Sequence, residues 1–179
     1  MFFDPIIEAT GKHTTMLERW HTLCTEDAAA AVLPCCGSRA WAHALASSRP
    51  YMDNPALLMC SDKIWKGLTR EDWIEAFASH PRLGESHATS TTDASLDWSR
   101  REQSRASPNQ ELSDANARYE QRFGHIFLVC ANGLTTTEIL AELERRMYNN
   151  AEREWQEAGE QQRQITQLRL QQWLVETQP

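Results

Sequence analysis

"AEREWQEAGEQQRQITQLRLQQWLVE", residues 151–176, decides the fold. It contains no proline, and Ala151, Trp155, Ala158, Gln162, Ile165, Arg169 and Trp173 follow one another at steps of three and four. That spacing puts them on one face of a long helix. Most of the face is apolar, so other elements must cover it, and helix-on-helix packing is the natural way to do so. Gly159 is expected to weaken the middle of this helix, at about 1 kcal/mol relative to alanine. Arg169 is expected to be buried with its stripe. A buried guanidinium requires an anion or several acceptors, which can be an internal Asp or Glu or the carboxylate of a substrate.

Working upstream, the same helical signals recur. "TTTEILAELERRMYNN" reads as a helix, and Pro108 suits the first turn of another, "SPNQELSDANARYEQRF". A further helix is expected to start near Asp97 after a Ser/Thr-rich loop over 85–95. "TREDWIEAFASH", 69–80, is capped by Thr69, carries Glu71 and Asp72 in its first turn, and has Trp73, Ile74 and Phe77 as its buried stripe. Pro81 disfavours helical geometry in the residue before it, so that helix is expected to end at His80 or one residue earlier. One or two short helices fit 54–68, and a serine-capped helix fits "SRAWAHALASS", 38–48. "TMLERWHTLC", 15–24, places Met16, Leu17, Trp20, Leu23 and Cys24 on one face. "HIFLVCANG", 125–133, is the one strand-like run. The expected fold is therefore all-α. We read 1–179 as a single-domain bundle of about seven to nine helices with one extended segment near 125–131.

A chain of 179 residues can bury a real core without disulfides. Its net charge of -7 and the lack of Lys/Arg-rich runs argue against a nucleic-acid binder. No stretch approaches the roughly 18 apolar residues of a membrane span. The N-terminal "MFFDPIIEAT" does not read as a signal peptide, nor the C-terminal "VETQP" as a peroxisomal address. Five cysteines without a C-x-x-C pair fit reduced thiols and a cytoplasmic protein. The vicinal Cys35–Cys36 pair is at most a weak redox candidate. His80 and His87 flank Glu85, but H-E-x-x-H is absent and no third ligand is spaced for zinc, so no metal is expected. Phosphate-loop, dinucleotide and nucleophile-elbow motifs are also absent.

Four features remain as candidate chemistry. His80 stands at a proline-fixed helix end, which suits either a surface histidine or an acid/base held at the edge of a pocket. Ser99, Glu102 and Gln103 share one helical face in "SRREQ", as a solvated polar face or as a cradle for a ligand rich in N–H and C=O groups. Arg169 is the third. The fourth is "FLVCANG", an ordinary buried strand or a stretch whose free backbone groups read a planar heterocycle.

"SSRPY", "HPRLGE", "SRREQ", "RFGHIFLVCANG", "RRMYNN" and "QITQLRL" follow in this order. Together they resemble the 2-oxo-4-hydroxy-4-carboxy-5-ureidoimidazoline (OHCU) decarboxylases of urate degradation, over roughly 15–175. The resemblance implies an all-helical carboxy-lyase, generally dimeric, that needs no metal or organic cofactor and converts OHCU to (S)-allantoin and carbon dioxide. It implies His80 as the catalytic acid/base, with Glu102 and Arg169 completing the catalytic set. The implied substrate contacts are Pro81, Ser99, Gln103 and the extended run Phe127, Leu128, Val129, Cys130 and Ala131. "ANGL" stands where many eukaryotic members have an arginine, which fits a bacterial, cytoplasmic member. Two other classes stay open on the residues alone. One is another ureide-pathway enzyme, such as a hydrolase. The other is a non-catalytic helical module in which His80, Glu102 and Arg169 do not converge.

Overall fold

The structure, a computed structural model, describes residues 14–83 and 110–175. Among these residues it holds eight helices: α1 Met16–His21, α2 Thr25–Cys36, α3 Arg39–Ser47, α4 Asn54–Lys66, α5 Arg70–Ala78, α6 Gln110–Phe123, α7 Thr136–Arg146 and α8 Ala151–Val175. The expected all-α class is what is observed. The loop over 85–95, the helix near Asp97 and the Pro108 position lie outside the described residues.

Three helices start with the same device. Thr15, Thr69 and Thr135 each accept from a backbone N–H three residues on, and Glu18, Asp72 and Glu138 reach back to the cap. This pairs two otherwise orphaned donors at each start. Of the one or two helices expected over 54–68 there is one, α4, with Asp53 as its cap and Pro55 in its first turn. The helix α2 occupies a stretch the pattern reading leaves unassigned. Pro34 obscures it, because a proline this far into a helix removes an i→i−4 bond, and the helix runs only two residues beyond it. Gly37 then stops it at φ 86°, a left-handed conformation, with a Cβ there colliding with Ser79.

The expected α1 stripe is shorter than its spacing suggests. The helix stops at His21, leaving Leu23 39% exposed and Cys24 as the cap of α2. Arg49 explains the stop, because its Nη1 donates to Trp20 O at 2.6 Å and Leu23 O at 3.0 Å. Its Nε donates to Ala46 O at 2.7 Å, so one side chain of "SSRPY" closes two helix ends. Ile74 is also corrected: it is half-exposed, and the buried side of α5 is Ala76 and Phe77.

The helix α8 is the axis. It packs against α1, α2, α4 and α5, while α2 and α3 pack on each other and α6 packs on α7. Its stripe is buried from Trp155 to Trp173, and only Ala151 proves exposed. The core divides in two. One cluster joins α1–α5 to α8, and the other lies between α6, α7 and the segment 126–131. That segment makes no strand ladder, but Leu128 packs into the first cluster while Phe127, Val129 and Ala131 pack into the second. Alternation of this kind is the signature of extended chain.

Gly159 corrects the sequence expectation most sharply. A Cβ there would collide with the Trp73 ring, and Trp65 Nε1 donates to Gly159 O at 3.1 Å. Trp65 and Trp73 stack at 5.0 Å with 2° between their planes. The glycine is the slot that lets α8 approach this pair. Gly159→Ala should therefore destabilise the protein although alanine is the better helix former. Overpacking costs about 1–3 kcal/mol, against about 1 kcal/mol gained in propensity. Urea denaturation checks the sign, and a more stable variant would refute the packing account.

Candidate active site

The site is built from the two ends of "HPRL" and the inner face of α8. The helix α5 ends at Ala78 with Ser79 as its cap, one residue before the earlier of the two ends expected. His80 N still donates to Phe77 O at 3.2 Å, so the backbone at His80 is held by the last turn. Beyond Pro81, Arg82 forms a fork on Glu120 at 2.6 and 2.9 Å, Leu83 enters the second cluster, and Asn116 Nδ2 donates to Leu83 O at 2.8 Å. The imidazole is thus fixed from both sides, by α5 before it and α6 after it. Pro81 itself is half-buried beside it.

His80 meets α8 at Gln162 and Arg169. Both are fully buried, seven residues apart on the same stripe. Gln162 Nε2 donates to Cys36 O at 3.1 Å and Thr166 Oγ1 at 3.2 Å, which leaves Oε1 as the acceptor. Among the described residues, neither this Oε1 nor His80 Nε2 has a hydrogen-bond partner, and both atoms are sealed from solvent. The Gln162 amide stands close enough to bear on the imidazole, and buried polar atoms left without a closer partner are uncommon and call for an explanation.

The electrostatics follow from that placement. Burial pushes the His80 imidazole well below its ordinary value, the Arg169 charge lowers it further, and the neighbouring Gln162 amide opposes both. At neutral pH the ring is therefore unprotonated, and in the free protein it is a weak base that resists taking a proton. Cys36 belongs to the same neighbourhood, where burial pushes its thiol up to about 12 despite the pull of Arg169. It is a protonated thiol with no nucleophilic use, and none of the five cysteines is in a disulfide.

His80 and Arg169 are brought together across 89 positions of sequence. Ser99, Glu102 and Gln103 lie outside the described residues. Phe127, Leu128, Val129 and Ala131 are buried and Cys130 is half-buried, in the extended run between the two clusters. Gln162 is the site residue that sequence reasoning passes over. Its signal was present, as a second polar residue in the apolar stripe that singles out Arg169. A cavity of about 290 Å³ opens between α5, α6 and α8 and is lined by Arg70, Phe77, Glu120, His125 and Trp155. It includes neither His80 nor Arg169. No group of three or more His, Cys, Asp or Glu side chains among the described residues is placed to hold a metal ion. No helix among them is long and apolar enough to cross a membrane.

Comparison with known proteins places these features in context. The OHCU decarboxylase family model matches residues 21–171. The "Uric acid degradation bifunctional protein TTL" of Arabidopsis thaliana is 35% identical over 145 residues, covering 76% of this chain and 44% of that protein. The "2-oxo-4-hydroxy-4-carboxy-5-ureidoimidazoline decarboxylase" of Amia calva is 42% identical over 60 residues, covering 34% of each. The chain thus spans less than half the length of these curated relatives. A crystal structure of OHCU decarboxylase in the presence of (S)-allantoin superposes with a TM-score of 0.65 at 28% identity, covering 80% of this chain and 96% of that one.

The depressed imidazole has a measurable consequence. A histidine that resists protonation when folded leaves stability intact above its unfolded pKa of about 6.5 and loses it as pH falls below that value. His80→Gln should therefore flatten the acid-side decline in unfolding free energy, by up to about 1.4 kcal/mol per pH unit. His21 and His125, also lowered by burial, keep part of the slope in the variant. Urea titrations at pH 7.5, 6 and 5 read the difference, and parallel profiles for the two proteins would exclude a buried neutral His80.

Proposed function

The chain belongs to the OHCU decarboxylase family, and from that premise we propose that it decarboxylates OHCU to (S)-allantoin and carbon dioxide. The observation that carries the reading is the convergence of His80, Gln162 and Arg169, with a neutral ring held next to a buried guanidinium. A binding module has no need to bring an unprotonated imidazole against a cation it must resist.

OHCU carries a carboxylate and a hydroxyl on one ring carbon, next to a C=N bond. When the carbon–carbon bond to the carboxylate breaks, its electron pair flows into the C=N and the ring nitrogen takes a proton. The enol that results gives up its hydroxyl proton and receives one on the ureido-bearing carbon. The anion consumes one proton overall and needs no further electron sink. Arg169 is the anchor for the carboxylate, which a planar fork suits. His80 carries the protons, and Glu102 holds the ring N–H or the imidazole. Ser99, Gln103 and Pro81 line the substrate, and the backbone of Phe127 to Ala131 reads its edge.

Substrate itself tunes the base. Arg169 lowers the basicity of His80 in the free protein. A bound carboxylate neutralises that charge, so the ring becomes a better proton acceptor only once the substrate is seated. The same reading takes the chain as one catalytic domain, acting without metal or organic cofactor as a homodimer in the cytoplasm.

The test is chiral detection of allantoin from freshly generated OHCU. The wild-type chain should give the (S) enantiomer in excess over the spontaneous reaction. His80→Ala should lose about 100- to 10,000-fold in rate with its helical content intact. Arg169→Lys should weaken binding substantially, because a charge-assisted hydrogen bond of about 1.5–3 kcal/mol is lost with the fork. A His80→Ala protein that still makes (S)-allantoin at the wild-type rate would remove the ring from the chemistry. Turnover of another ureide by hydrolysis, with OHCU untouched, would favour the hydrolase reading.

A further inference from the structure

Two side chains hold the segment 126–131 along one edge, and its last residue closes a turn in which Ala131 O accepts from Leu134 N–H at 3.0 Å. Arg146 Nη1 donates to Leu128 O at 2.6 Å, and Gln161 Oε1 accepts from Cys130 N–H at 2.8 Å. In extended chain, the N–H and C=O of one residue point to the same edge, and successive residues point to opposite edges. Leu128 and Cys130 therefore share the edge that Arg146 and Gln161 hold. Val129 presents its N–H and C=O on the other edge, and neither group bonds a described residue, although Val129 is buried. A buried backbone donor and acceptor need a partner.

We propose that Gln161 is a positioning residue, which with Arg146 clamps the even-numbered backbone groups so that the Val129 N–H and C=O are presented as a fixed donor–acceptor pair to a planar ureide. The inference rests on the function proposed above and sharpens it. It narrows the reading edge to the odd-numbered side of the segment, which Val129 shares with Phe127, and gives a role to a glutamine outside every motif singled out in the sequence. The two clamps differ in kind. Arg146 is held by a buried carboxylate, whereas Gln161 is half-buried on α8 and can be changed without uncovering a charge. It is one residue before Gln162, so neighbouring positions of one helix turn set the backbone edge and face the imidazole.

The experiment compares Gln161→Met, which keeps length but cannot accept the bond, with Gln161→Glu, which retains an acceptor oxygen. Amide exchange at Cys130 and the shift of the Val129 amide on adding (S)-allantoin are followed by NMR, alongside turnover of OHCU. Loss of one such bond is worth about 0.5–1.5 kcal/mol. Gln161→Met should therefore raise KM and the (S)-allantoin dissociation constant about 2- to 12-fold, lower the thermal midpoint by no more than a few degrees, and speed exchange at Cys130. Gln161→Glu should return both constants to within about twofold of wild type. Two outcomes would overturn the clamp alone in an active wild-type protein: unchanged constants in Gln161→Met, or equal impairment in both variants. A Val129 amide that does not respond to (S)-allantoin would overturn the assigned edge. A wild-type chain that makes no (S)-allantoin would instead overturn the activity on which the clamp rests.

Discussion

The buried pair of Arg146 and Glu154 holds the second half of the molecule together. Both side chains are completely inaccessible. Arg146 Nε donates to Glu154 Oε1 at 2.8 Å, its Nη2 donates to Tyr119 Oη at 3.2 Å, and its Nη1 reaches Leu128 O. Tyr119 donates to the same Glu154 oxygen, and Asn149 Nδ2 donates to the other at 2.8 Å. The guanidinium also lies 4.8 Å from the centre of the Phe127 ring. One ion pair thus ties α6, the extended segment, the end of α7 and the start of α8. Taking two charges out of water costs several kcal/mol each, and their attraction offsets that only where the remaining hydrogen bonds are made. Here Tyr119, Asn149 and the Leu128 carbonyl make them. The arrangement is unforgiving, because removing either charge strands the other in the core.

The long helix then links that junction to the chemistry. Glu154 sits in its first turn, Gly159 admits the tryptophan pair, Gln161 holds the extended run, and Gln162 and Arg169 meet His80. All five are polar residues or a glycine, in a helix whose other buried positions are mostly apolar. Each departure from a simple apolar stripe corresponds to something the fold or the site requires. The helix propensity lost at Gly159 is made up by tertiary contact, which is the usual source of helical stability in proteins.

Helix identity was largely legible in the sequence because it is local. Threonine caps at 69 and 135, proline at 55 and the spacing along α8 each act within a turn or two. What was not legible depended on distant partners. The early stop of α1 is made by Arg49, and the exposure of Ile74 depends on which side of α5 meets its neighbours. Gly159 looked like a weakness because no local rule shows Trp73 arriving from 86 residues away. At the site, Arg169 could be expected to be buried from its stripe, and His80 could be placed from its proline. Their meeting could not be read from spacing alone, and it was the order of motifs that implied it. "RRMYNN" was visible as a motif without a role, and the structure gives it one, through Arg146 and Asn149.

The stacked indoles of Trp65 and Trp73 turn the α4–α5–α8 junction into an optical reporter. Two chromophores held nearly parallel at this separation share their excited states, which splits their absorption and gives them a paired circular-dichroism signal. Trp155 extends the stack, at 5.8 Å and 20° from Trp73, and Arg70 lies 4.2 Å above it. The signal depends on geometry at the glycine slot rather than on helix content. Loosening of this corner would therefore be visible in the ultraviolet spectrum while the backbone remains helical, with no label introduced.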